Sequence, residues 1–352
     1  MPPTTITVSC ALIACSTVLP IAAAEPDDEM PPSLRLAVAR GLEHLARTQS
    51  TAGDFDSRHP VAANALAGLA FLAAGHTEQA GGPYTEVVRR ATSALLRRQN
   101  GQGYFDDDQS QMYGHGFATL YFAELYGTSA HREKEVRQAL ASAIKVIEGS
   151  QVRSGAWDYS PAPRFGGDRG HWSTGDTSIT ICQTMALRAA KNLGIVIDGG
   201  VIQRATTYIQ NAQNDDGGFR YRPMGGIGPA SFFFERSAFA RSSAGVCILY
   251  SLGNSYNTDR LRKGLDYLYH QYRLPDSNEF PMYGYYYCSQ AMFQAGGKYW
   301  AEYFKWVRNE LVTNQKADGS WPTDARENPT QTTAMALIIL ELPYRYLPIL
   351  ER

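Results

Sequence analysis

Three ionisable groups stand in settings that could support acid or base chemistry. Asp176 lies in Ser173-Thr174-Gly175-Asp176-Thr177, ahead of a largely apolar run. An Asp at that place is an N-cap, and it is also a carboxyl at the start of a buried helix. His115 sits between two glycines in Tyr113-Gly-His-Gly-Phe117, which would let a ligand approach closely. The competing reading is a core histidine with local hydrogen bonds. Glu235 follows Phe232-Phe233-Phe234, and a carboxyl beside an apolar patch can be held protonated and serve as an acid. Its neighbour Arg236 offers the plainer reading, a surface ion pair. Asp106-Asp107-Asp108 is a carboxylate cluster, read as a solvated turn with at most weak affinity for a cation. Asp176, His115 and Glu235 are therefore the weak catalytic candidates.

The elements that must position these groups recur along the chain. A seven-residue frame, Gln-x-x-x-Gly-x-aromatic, starts at Gln49, Gln99, Gln151, Gln213 and Gln315, so the gaps are 50, 52, 62 and 102 residues. The last gap is about two periods, so one unit has lost its frame, with Gln271 and Phe280 as its only remnants. A period of this length sets the architecture before any local pattern does. Each frame follows an amphipathic segment and precedes an apolar one, which stops at a glycine in every pair but the last, where Pro343 follows. The first pair is Ser33 to Thr48, then Ala62 to Ala74; the last is Trp300 to Thr313, then Thr332 to Leu342. An amphipathic helix has a solvent face and belongs outside, whereas a helix that is apolar all round needs protein on every side. Six such pairs predict an all-α (α/α)6 toroid, or barrel, with inner and outer rings. Two loops between a frame and an inner helix are long, Asp158 to Gly175 and Arg220 to Arg241, as functional loops often are.

In that architecture the inner helices start at one rim. His115, Asp176, Arg241, Ser242, Tyr283, Tyr285, Gln331 and Thr332 are the predicted lining residues, with Cys288 further along its helix.

The bulk composition limits partners. Of 352 residues, 44% are hydrophobic and 19% charged, a globular balance. A net charge of −1 gives no case for nucleic acid or an anionic membrane surface. Residues 1–24 read as a cleaved signal peptide ending in Ala22-Ala23-Ala24, and 25–32 as a short mature tail before one toroid domain over 33–352. Export to the periplasm or outside follows. Leu12-Ile13-Ala14-Cys15 leaves open a lipoprotein anchored through Cys15, hence membrane association, and an uncleaved anchor is a third route. Three cysteines remain after cleavage, Cys182, Cys247 and Cys288, and no Cys-x-x-Cys frame joins them. They read as buried free thiols.

The repeated frame resembles the QW motif of the terpene cyclase and protein prenyltransferase superfamily, and with Tyr113 to Phe117 and the ending Pro343-Tyr-Arg-Tyr-Leu-Pro348 it looks most like exported bacterial squalene-cyclase-like proteins. The resemblance covers the mature chain. It implies that the five frame glutamines are structural, with the amide packed on the aromatic residue. It carries the family's chemistry only in part. Class II cyclases protonate an alkene with the middle Asp of Asp-x-Asp-Asp-Thr, and that position here holds Gly175. Prenyltransferases hold zinc with an Asp two residues before a Cys; Tyr286 stands there, before Cys288, and no His follows His270. No metal and no cofactor is expected. The expected function is the binding of an apolar or isoprenoid-like molecule, or a partner, in the central cavity. The alternatives are a glycan-active lyase or hydrolase and a divergent terpene cyclase or transferase.

Overall fold

The computed structural model describes residues 30–107, 109–167, 174–222, 235–253, 259–274, 280–323, 327–344 and 347–350. The chain divides into Met1–Met30 and a compact unit, Pro31–Arg352. The first unit, with its expected signal peptide and Cys15, falls outside the described residues but for Met30, as do Asp108 and Phe232 to Phe234. Among the described residues no helix is long and apolar enough to cross a membrane.

Twelve α-helices and no strands are found among the described residues. The outer ring consists of α1 (Pro32–Thr48), α3 (Thr85–Arg97), α5 (Glu133–Ser150), α7 (Gly199–Ala212), α9 (Asp259–Gln271) and α11 (Gly297–Asn314). The inner ring consists of α2 (Pro60–Ala73), α4 (Gln111–Leu125), α6 (Thr177–Asn192), α8 (Phe239–Ser251), α10 (Pro281–Ala295) and α12 (Pro329–Glu341). Each inner helix packs on the next, and α12 returns to α2, so the ring closes. Burial follows composition: every residue of α2 is buried, whereas α3 buries only one face. The predicted α/α toroid is the observed fold.

The frames hold the outer ring together through a repeated set of bonds. In each, the glutamine amide donates to its own frame's glycine carbonyl and to a carbonyl of the next outer helix. Gln49 reaches Val87, Gln99 reaches Ala139, Gln151 reaches Val201, Gln213 reaches Arg260 and Gln315 reaches Ala37. The amide thus spends its donors on backbone carbonyls. The glycine one turn on explains itself by contact. A Cβ at Gly155 would fall 2.2 Å from the Arg204 carbonyl oxygen, and its φ of +97° is a left-handed conformation. The frame's aromatic residue then donates its backbone N–H to a side chain of the following inner helix. Phe55 donates to Asn64, Phe105 to His115, Trp157 to Thr180, Phe219 to Ser242 and Trp321 to Thr333.

Where the fifth frame is lost, rings take over. Tyr272 packs on Tyr303 and Trp306 with centroids 5.2 and 5.1 Å apart, and Tyr285 reaches the same Trp306 at 5.4 Å. This aromatic cluster joins α9, α10 and α11. Between residues 271 and 280, positions 275–279 lie outside the described residues.

Candidate functional site

All six inner helices begin at one end of the toroid, and a cavity of about 540 Å³ opens there. Its wall draws on the first two turns of each inner helix and on the segments just before them. Of the predicted lining residues, Arg241, Tyr283, Gln331 and Thr332 stand on this wall.

Asp176 stands just behind it. The carboxylate is fully buried and caps α6, with Oδ1 accepting from the Ser178 backbone N–H and hydroxyl, both at 2.6 Å. Oδ2 accepts from the Tyr159 hydroxyl at 2.9 Å. Tyr159 and Tyr221 have hydroxyls 2.5 Å apart, and both rings face the cavity. Tyr113 completes the network, its hydroxyl 2.5 Å from that of Ser178. Burial pushes the Asp176 carboxyl up, and the bonds from Ser178, Tyr221 and Tyr159 pull it partly back. Burial and the neighbouring Asp176 push the Tyr159 phenol up to about 12. The arrangement is a carboxyl that communicates with the cavity through hydroxyl groups only. It could pass a proton outward along Tyr159 without touching a ligand itself.

Gly175, at the position of the missing cyclase donor, is fixed there by shape. Its φ is +75°, and a Cβ would fall 2.3 Å from the Cβ of Ala156. No aspartate fits at that place without displacing the third frame.

Several predicted lining residues lie elsewhere. His115 is completely buried; Nδ1 accepts from the Phe105 N–H at 3.2 Å, and Nε2 lies 3.1 Å from the Ala143 carbonyl oxygen. It is the α4 member of the five acceptors that secure the frame aromatics, and Ser242 is the α8 member. The glycines beside His115 serve helix packing, not ligand approach, since a Cβ at Gly116 would fall 2.7 Å from the Cβ of Cys182. Burial holds the His115 imidazole down at about 4, so it is neutral. Tyr285 turns outward to Phe239 and Trp306. Cys288 is fully buried and off the wall, its thiol pushed well up by burial. Cys182 and Cys247 are buried free thiols as well. Glu235 is exposed and off the described wall. Asp107 is no solvated turn residue: it accepts from the Val61 N–H at 2.7 Å and from the Ser110 hydroxyl, tying the α4 entry to α2. Among the described residues no group of three or more His, Cys, Asp or Glu side chains could hold a metal ion.

The sequence reading missed Tyr159, Tyr221, Ser178, Arg58 and Arg236 as wall residues. Tyr159 and Tyr221 each stand two positions after a frame aromatic, Trp157 and Phe219, in irregular backbone that gives a side chain no periodic direction.

No protein-family model matches the sequence, and no curated protein does. Similar solved structures are found at low identity. The type II terpene cyclase MstE from Scytonema, in complex with geranylgeranyl dihydroxybenzoate, superposes with a TM-score of 0.59 at 11% identity, covering 90% of this chain and 98% of that one. An inactive variant of the α-1,6-mannanase GH76A of a Salegentibacter species, with α-1,6-mannotriose, gives 0.61 at 7% identity over 88% and 98%. A protein from Actinoplanes gives 0.59 at 14% identity over 87% and 98%. What this chain shares with them is the α/α-toroid fold.

Proposed function

We propose that the mature chain is exported and that its toroid binds an apolar or isoprenoid-like small molecule in the central cavity, without the usual cyclase acid or a zinc site. The observation that carries this reading is the cavity itself. About 540 Å³ is the size of a small-molecule pocket, and Tyr113, Phe117, Tyr283 and Met335 give it a largely aromatic and apolar interior. The closed glycine position at residue 175 supports binding without the family's alkene protonation. The test is extraction of the purified protein followed by mass spectrometry. A stoichiometric lipid is the expected result. If none extracts, and native and delipidated protein bind hydrophobic probes alike, the reading fails.

One observation favours a second, catalytic reading. The Tyr159 hydroxyl faces the cavity with Asp176 hydrogen-bonded behind it, a relay that suits acid–base work on a glycan or an alkene. Fold neighbours bind an isoprenoid substrate in one case and a mannan oligosaccharide in the other. Incubation with a polysaccharide panel, squalene and prenyl diphosphates tests it. Products that disappear in Asp176→Asn and Tyr159→Phe would establish catalysis; no product from any of them disposes of it.

A further inference from the structure

Among the inner helices α10 stands opposite α4, and α8 separates it from α6. Its side chains nevertheless reach both of them across the interior. The Tyr283 hydroxyl, in the first turn of α10, donates to the Ser178 carbonyl of α6 at 2.9 Å. The Tyr113 hydroxyl of α4 lies 2.5 Å from the Ser178 hydroxyl, so three helices meet at that one residue. One turn deeper, the Tyr287 hydroxyl lies 3.4 Å from Sγ of Cys182 on α6, and the Tyr286 ring meets Phe117 of α4 at 6.5 Å between centroids. Tyr287 also meets Tyr283 and Tyr286 edge-on, each at 4.8 Å. Three tyrosines of a single helix thus span the interior below the mouth. Tyr286 and Tyr287 are buried and off the wall, whereas Tyr283 is half-buried and on it. The wall therefore ends at different depths. It reaches the seventh residue of α4 and of α12, Phe117 and Met335, but only the third of α10.

We infer that Tyr283 determines specificity: its ring is the shelf on which the apolar end of a bound chain stops, and so it sets the chain length that the cavity takes. The inference rests on the small-molecule reading above. The ring suits this role because it is held on two sides. Its hydroxyl is bonded to Ser178 and its edge is backed by Tyr287, so it cannot swing aside without breaking that bond and opening a void over Tyr287. With the ring removed, the next surface on that side is Tyr287, about 6 Å deeper along the helix, or about five methylenes of an extended chain. A methylene that enters apolar surroundings tightens binding about fourfold. One that is stopped at the shelf leaves the far end of the chain projecting from the mouth and adds little.

The test is displacement of N-phenyl-1-naphthylamine from the full chain by straight-chain alcohols, from hexanol to hexadecanol. These are uncharged, so chain length alone varies. In the wild type, affinity should rise about fourfold per carbon and then level off. In Tyr283→Ala the levelling should come about four carbons later. Tyr283→Leu, with a smaller shift expected, serves if the alanine variant melts early by circular dichroism. A side chain with a structural role alone would weaken all the alcohols alike and leave the break in place. A break at the same length in wild type and variants therefore overturns the shelf while leaving small-molecule binding standing, and so does a wild-type series with no break. If neither the probe nor any alcohol binds, both readings fall.

Discussion

The side-chain amide of Gln315 donates to the carbonyl of Ala37 at 2.8 Å, joining the last outer helix to the first across 278 positions. The same amide bonds the Gly319 carbonyl at 2.9 Å, and Gly319 approaches the Arg40 carbonyl so closely that a Cβ would fall 2.3 Å from it. The clasp that joins neighbours elsewhere here closes the ring. Gln315→Ala should therefore destabilise the fold by roughly 1–3 kcal/mol, the cost of two lost bonds with carbonyls left unpaired. The urea midpoint measures it, and a change within error would show that ring closure rests on helix packing alone.

Phe105 and His115 give a pH prediction. The imidazole is neutral and fully buried, with a folded pKa of about 4 against 6.5 when unfolded. Between those values the unfolded chain binds more protons, so this residue makes stability rise with pH across about pH 4 to 6.5. The full effect is on the order of 3 kcal/mol. His115→Asn, which keeps an acceptor of the kind Asn64 supplies in α2, should flatten that part of the profile. His115→Ala should destabilise at every pH. An unchanged pH slope in His115→Asn would contradict the assignment.

Gly175→Asp would restore a carboxyl at the position of the cyclase donor. It should cripple folding and not confer activity, because residue 175 holds a φ of +75° against Ala156. Soluble yield and thermal midpoint report this. A well-folded variant would mean that the third frame can shift to admit a side chain.

Glu341 is buried at the far end of α12, and among the described residues neither carboxyl oxygen has a hydrogen-bond partner. Burial pushes its pKa well up. The folded state holds the proton that the unfolded chain releases above its ordinary value, so stability from this group is present at low pH and lost as pH rises. Glu341→Gln should thus stabilise the protein at pH 7 by roughly 1–2 kcal/mol and have little effect near pH 4. Equal shifts at both values would rule this out.

Much of the fold was legible because its signals are local. A frame glutamine, a glycine that must take positive φ and an aromatic residue two positions on carry their meaning within seven residues, and periodicity separates α2 from α3. The site was legible only in part. Arg241, Tyr283 and Gln331 follow from helix starts alone. Tyr285 and Cys288 do not, because which side of α10 faces the cavity depends on its rotation against α9 and α11, fixed by Trp306 and Tyr303. His115 misled because a histidine flanked by glycines suggests an open approach, whereas Gly114 admits Val61 of α2 and Gly116 admits Cys182 of α6. Tyr159 and Tyr221 lie in irregular loops, where periodicity gives no direction to a side chain.

The clasps and the cavity wall use different residues. The glutamines, glycines and aromatics of the frames secure the outer ring, and their inner-helix acceptors, Asn64, His115, Thr180, Ser242 and Thr333, all lie off the wall. The wall takes Tyr113, Ser178, Arg241, Tyr283 and Gln331 from five separate helices. Selection, or a designer's library, can therefore rewrite the recognition surface one helix at a time while the hoop that carries it stays closed. The same α/α-toroid fold is found in solved structures at 7–14% identity to this chain.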